Sequence, residues 1–179
     1  FRLVKTSVMD RSQDKYVRWN AGKPTLSFTT AETKKGMRLN KDLALIEEKP
    51  YVCFAIPSSK YRELVDVKQS VGSLVSNDLM TTIPEISSYF PLIDDLTSKD
   101  ISVVRMGIHE KFRLPDNLGD LVHDYAFSNQ SAFGDVWLAA NCKYFATAAT
   151  GAWWLGAIFG KPTVATDTYV LGGTYGVND

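Results

Sequence analysis

The segment KYFATAATGAWWLGAIFGKPTVAT, residues 143–166, carries the pattern that decides the fold. Residues 143–147 form a short apolar, β-rich run. The small residues 148–151 turn it directly into an apolar helix that runs to Phe159. Gly160 and Pro162 close that helix in the expected order, glycine just past the end and proline beyond. Residues 163–166 then form a second strand. Upstream, Ser131 can cap a helix whose Phe133, Val136, Trp137 and Ala140 fall on one face. Residues 121–126 predict a shorter strand, residues 108–120 a polar loop, and residues 101–106 a strand ended by Gly107.

The same alternation continues toward the N-terminus. Thr82-Ile-Pro-Glu85 has the form of a capping box, and Ile83, Ile86, Phe90 and Ile93 line one face of the helix it opens. Pro91 falls inside that helix and predicts a kink or a split. Residues 57–80 are Ser-rich and lack a clean period, which predicts a loop with at most one helical turn, of a length that is often functional. YVCFAI, residues 51–56, is stopped by Pro57 and reads as a strand buried on both faces. Thr29-Thr-Ala-Glu32 is a second capping box, opening a helix over 30–46 with Leu39, Leu43 and Ile46 at helical spacing. Gly36 weakens that helix. Residues 1–27 read as an arm or interdomain linker. The tail from 168, with Gly172, Gly173 and Gly176, reads as loop.

Strands and helices in alternation predict an α/β fold, a parallel sheet with helices on both faces. In such sheets ligands bind beyond the carboxyl ends of the strands. Those ends fall at residues 57–60, 105–107, 124–127, 147–151 and 166–167.

Composition narrows the partners. The chain has 179 residues, 45% of them hydrophobic, with 20 Lys+Arg balanced by 20 Asp+Glu. No basic excess points to nucleic acid. No signal-peptide pattern appears, and no apolar run approaches the roughly 20 residues that span a bilayer. Cys53 and Cys142 sit in apolar runs and read as reduced core residues; neither they nor His109 and His123 have metal-ligand spacing.

Thr147-Ala-Ala-Thr-Gly-Ala-Trp153 is the most informative candidate site. Backbone N–H groups at a helix start can receive a diphosphate, and small residues let it approach. Thr147 and Thr150 add hydroxyl donors. The same segment is equally a tight strand-to-helix turn capped by Thr150. It matches neither the dinucleotide fingerprint nor the P-loop. Arg105 ends an apolar strand, where it either holds a phosphate or forms an ion pair with Asp124. Asp135 either accepts from a ribose or complements the helix N-terminus. Trp153 and Trp154 are adjacent, so one is expected in the core and the other elsewhere, where base stacking competes with core packing. Lys60 and Tyr61 lie in the first loop, where a pyrophosphate contact competes with simple solvation. Neither a catalytic triad nor a paired acid and base can be assembled from the sequence.

From Asp124 onward, DYAFSNQSAFGDVWLAANCKYFATAATGAWWLGAIFGKPTVATD resembles the C-terminal lobe of bacterial surface-carbohydrate glycosyltransferases. These are GT-B proteins related in plan to heptosyltransferases. YVCFAIPSSKY, ISVVRMG and PTLSFTTAETKKG fit the same family, so the resemblance spans roughly residues 24–167. It implies a Rossmann-like domain over 28–179, one lobe of a two-lobed enzyme, that holds a nucleoside-diphosphate sugar as donor. The carbohydrate acceptor would sit on an N-terminal lobe that this chain lacks, and the chain stops in a Gly-rich loop where a closing helix is expected. The resemblance maps the donor cleft to Arg105, Gly107, Asp124, Tyr125, Ser131, Asp135, Thr147, Thr150, Gly151 and Ala152. It implies no cofactor beyond the donor and no resident metal. It names no catalytic residue in this lobe, and it implies a cytoplasmic site of action, inner-membrane periphery included.

Some positions depart from that family. Pro57 and Ser58 stand where an Arg-Asp pair is common, and Gln130 stands where a basic residue is usual. Ala132 stands near an acidic position, and the turn ending in Gly151 has fewer hydroxyls than the family's. These changes admit a divergent donor, a non-catalytic nucleotide-sugar or interaction module, or a GT-B-type sugar-nucleotide epimerase. A Rossmann dehydrogenase is disfavoured, because the first strand leads into Pro57-Ser-Ser-Lys60 rather than a glycine-rich turn.

Overall fold

A computed structural model of the chain describes residues 26–56, 85–108, 110, 112–148 and 152–166. Five strands form one sheet: β1 (Tyr51–Ala55), β2 (Ser102–Met106), β3 (Val122–His123), β4 (Tyr144–Ala148) and β5 (Thr163–Thr166). Their order is β3-β2-β1-β4-β5 and every neighbouring pair is parallel. The helices are α1 (Thr30–Asp42), α2 (Phe90–Ser98), α3 (Ala132–Asn141) and α4 (Trp153–Ile158). This is the Rossmann-like α/β plan expected from the alternation.

Every residue of β1 is buried, because the strand lies between two neighbours and under helices on both faces. Its side chains alternate between two cores. Tyr51, Cys53 and Ala55 pack with Trp137, Leu138 and Ala139 of α3 and with Leu39 of α1. Val52 and Phe54 pack with Tyr89, Ile93 and Leu96 on the other face, under α2. Tyr51 donates its hydroxyl to the Leu138 carbonyl at 3.0 Å, so the one polar atom of β1's side chains is satisfied. Cys53 and Cys142 are buried, unbridged thiols, in keeping with a reduced core pair.

The Thr29–Glu32 capping box forms as expected: the Thr29 amide donates to Glu32 at 2.7 Å and the Glu32 amide donates to Thr29 Oγ1 at 3.3 Å. The helix ends earlier than its apolar spacing predicted, at Asp42 rather than 46. Ala44 takes φ 53°, the Ala44 amide donates to the Lys41 carbonyl, and the Leu45 amide donates to the Asn40 carbonyl. That is a Schellman cap made without glycine. The reversal sends Leu45 into the core and leaves Ile46 exposed. α4 ends in the same motif, this time with the predicted Gly160 at φ 64°.

Two further expectations can be compared with the structure. Of the kink or split expected at Pro91, the split occurs: a 3-10 turn, Ile86–Tyr89, precedes it and Pro91 occupies the first turn of α2, where its missing N–H costs nothing. The strand expected over 121–126 is only Val122–His123. Asp124 leaves the extended conformation, and a 3-10 turn, Tyr125–Phe127, drives the Tyr125 ring into the α3 side of the core. The capping-box residues 82–84, the loop 57–80 and the arm 1–25 lie outside the described residues. Among the described residues no helix is long and apolar enough to cross a membrane.

Gly36, which weakened the sequence case for α1, has a packing reason. It lies against the Trp137 indole, and a methyl group built there would fall inside the ring. The same indole donates from Nε1 to Asn40 Oδ1 at 2.9 Å and meets Phe28 edge-on at 4.9 Å, so it has no room to retreat. Gly36→Ala is therefore expected to destabilise the fold by about 1–2 kcal/mol, overpacking outweighing the helix propensity gained. Urea unfolding checks it, and the loss should shrink in a Trp137→Leu background.

Candidate functional site

The strand order defines the candidate ligand-binding edge. The chain steps from β1 through α2 to β2 on one side, then returns through α3 to β4 on the other. The direction of winding therefore reverses between β1 and β4, and crevices at such points receive ligands in open α/β sheets. Ala55 lies in register with Thr147 at this reversal. Thr147 is fully buried, and its hydroxyl donates to the Ala148 carbonyl at 2.8 Å. Ala152 is half-buried, occupies the cap position of α4 and packs on the α3-side core. Thr150 and Gly151, with Pro57, Ser58, Lys60 and Tyr61, lie outside the described residues. Trp154 is partly exposed on α4.

A second group of predicted residues converges one strand away. Arg105 lies at the carboxyl end of β2 with only 6% of its side chain exposed. Its Nη2 donates to Glu110 Oε2 at 2.6 Å, and its Nη1 donates to the Phe112 carbonyl at 2.7 Å. Asp124 Oδ1 stands 3.4 Å from Nη1, while Asp124 Oδ2 accepts from the Leu114 amide at 2.8 Å. The Arg105–Asp124 pair is thus formed. Burial pushes the Glu110 carboxyl above its usual range, against the opposing pull of Arg105. Gly107 packs on that carboxylate, and a Cβ there would collide with Glu110 Oε1. Glu110 is the residue that sequence reasoning missed. A buried arginine at a strand end calls for more than one acceptor. The nearest acidic residue in the loop was the signal that could have found it.

The third group surrounds the start of α3. Ser131 caps the helix, its Oγ accepting from the Gly134 amide at 3.1 Å. Tyr125 is fully buried; its hydroxyl donates to the Ser131 carbonyl at 3.2 Å and accepts from the Ser131 amide at 2.9 Å. Gly134 admits that phenol, because a Cβ there would strike the hydroxyl. Asp135 is half-buried and accepts from Gln130 Nε2 at 3.3 Å; burial raises its carboxyl above the ordinary range. All three groups thus lie at the carboxyl edge of the sheet. Several of their polar atoms are engaged within the protein itself.

Compared with protein-family models, curated proteins and solved structures, the chain matches none.

Two measurements follow from this geometry. Arg105→Met would strand two poorly solvated carboxylates and is expected to cost about 3–5 kcal/mol in chemical denaturation, where an ordinary surface arginine would cost little. His123, on β3, has a buried Nε2 with no hydrogen-bond partner among the described residues, and burial holds its pKa below 6.5. The unfolded chain then binds a proton more readily than the folded one as pH falls below 6.5. Stability is therefore fully present above that value and is lost as pH falls through the window beneath it. Melting curves between pH 7.5 and 5 should show this decline in the wild type and a smaller one in His123→Leu.

Proposed function

We propose that this chain is the donor-binding lobe of a glycosyltransferase, holding a nucleoside-diphosphate sugar at the carboxyl edge of its parallel sheet. One observation carries the reading: the winding reversal between β1 and β4, where Ala55 and Thr147 lie in register and β4 leads on to α4. The resemblance of residues 24–167 to surface-carbohydrate glycosyltransferases supports it. The lobe's share of catalysis would be to stabilise the leaving diphosphate with backbone N–H groups, Thr hydroxyls and guanidinium groups placed where charge develops. Acceptor binding and the general base would fall to a second lobe.

A second reading has its own support. Arg105 and Tyr125 commit their polar atoms to internal partners. A fold kept for its stability, as a non-catalytic nucleotide-sugar or interaction module, would look the same at these positions.

Calorimetric titration of the folded chain with UDP, GDP, ADP and CMP separates the donor lobe from an interaction module that binds no nucleotide. Saturable binding of one nucleotide, weakened about tenfold or more by Thr150→Ala, is the expected result, since a hydrogen bond to a charged phosphate contributes roughly 1.5–3 kcal/mol. A folded chain that binds none of the four overturns the donor-lobe reading.

A further inference from the structure

The Arg105 cluster has a neighbour with the opposite properties. Arg113 is exposed, and among the described residues it has no carboxylate at ion-pair distance, because Glu110 and Asp124 both pair with Arg105. It is nevertheless not a loose surface arginine. The residue before it gives its carbonyl to Arg105 at 2.7 Å, and the residue after it gives its amide to Asp124 at 2.8 Å. Leu114 is itself buried. The Arg113 guanidinium lies over the Phe127 ring, 5.3 Å from its centroid, and Arg105 approaches the same ring at 5.7 Å. The backbone on both sides of Arg113 is therefore pinned, and its planar head is oriented by an aromatic ring.

Phe112, next to it, is 74% exposed, the highest value among the exposed large hydrophobics described. Its carbonyl is fixed on Arg105 while its ring stands in solvent. An apolar ring held outward on a tethered backbone, beside a cation with no ion-pair partner among the described residues, suits a ligand that carries both an anion and a flat face. The loop springs from the carboxyl end of β2, the strand adjacent to β1, and neighbouring strands are about 4.8 Å apart. It thus shares the carboxyl edge of the sheet with the β1–β4 reversal.

We propose that Arg113 is the phosphate-binding arginine of this edge and that Phe112 is the ring on which the nucleotide base stacks. Arg105 is then a positioning residue: it holds the loop that presents them. This inference rests on the donor-lobe reading and identifies which side chains of that edge meet the ligand. A guanidinium presents a rigid fork of donors that fits phosphate oxygens, and orientation by an aromatic face reduces the ordering that binding requires.

The test titrates the whole chain and its Arg113→Gln, Arg113→Lys and Phe112→Ala variants with UDP, GDP, ADP and CMP, and separately with inorganic pyrophosphate. Arg113→Gln is expected to weaken both the recognised nucleotide and pyrophosphate about tenfold or more. It should do so without lowering the melting temperature, because the side chain is exposed. Arg113→Lys should recover part of the loss, restoring charge without the fork. Phe112→Ala is expected to weaken the nucleotide about fivefold or more while leaving pyrophosphate unchanged. If Arg113→Gln binds the nucleotide as the wild type does, this inference is overturned and the donor lobe stands. If pyrophosphate binds and is lost in Arg113→Gln while no nucleotide is preferred, the anion site is upheld and the donor reading falls. A wild-type chain that binds neither overturns both.

Discussion

Burial of β1 on both faces is the constraint on which everything else depends. A strand with no solvent-facing side must be apolar throughout, and each backbone amide and carbonyl must find a partner strand. β2 and β4 supply those partners, and helices must then cover both faces. The amide and carbonyl requirement fixes the sheet, and the apolar requirement fixes the layers. The winding reversal at the carboxyl edge follows from the same arrangement, because the chain must leave β1 in one direction and come back to it from the other. The winding reversal is a consequence of placing the most buried strand at the centre.

Arg105 shows what happens when a charge is placed in such a sheet. In register beside Phe54, it cannot be left unsatisfied. The protein brings two carboxylates and a carbonyl to it, and in doing so ties together the loop after β2 and the turn after β3. The cluster's value lies in the backbone it organises. Desolvation of the three charges offsets much of their attraction, so ion pairing alone adds little net stability. The rigidity gained passes to the exposed residues between the tethers.

Much of the fold was legible because it rests on local and periodic signals. The capping box at Thr29, the stripe on α3, the Gly160 stop and the all-apolar run at β1 each report a requirement that a few neighbouring residues satisfy. The misplaced features have a common cause. Ile46 fits helical spacing as well as Leu45 fits the core, and only the turn at Ala44 chooses between them. Residues 124–126 look extended in isolation, yet Tyr125 has to turn inward to place its phenol under α3. For the candidate site, the sequence located the carboxyl edge and the Arg105–Asp124 alternative, but it did not supply Glu110. A loop acid has no period, and its partner becomes evident only when the loop folds back.

The sequence by itself determined the α/β class, the parallel sheet, the central buried strand and which residues end the strands at the carboxyl edge. These depend on hydrophobic pattern and on caps, which neighbouring residues encode. Tertiary structure alone decided that Gly36 exists to admit Trp137 and that Gly134 admits the Tyr125 phenol. It also decided that Arg105 is consumed by internal partners while Arg113 is left facing solvent. Each is a matter of which distant atoms share one small volume, and chain spacing carries no information about that until the sheet and its helices are assembled.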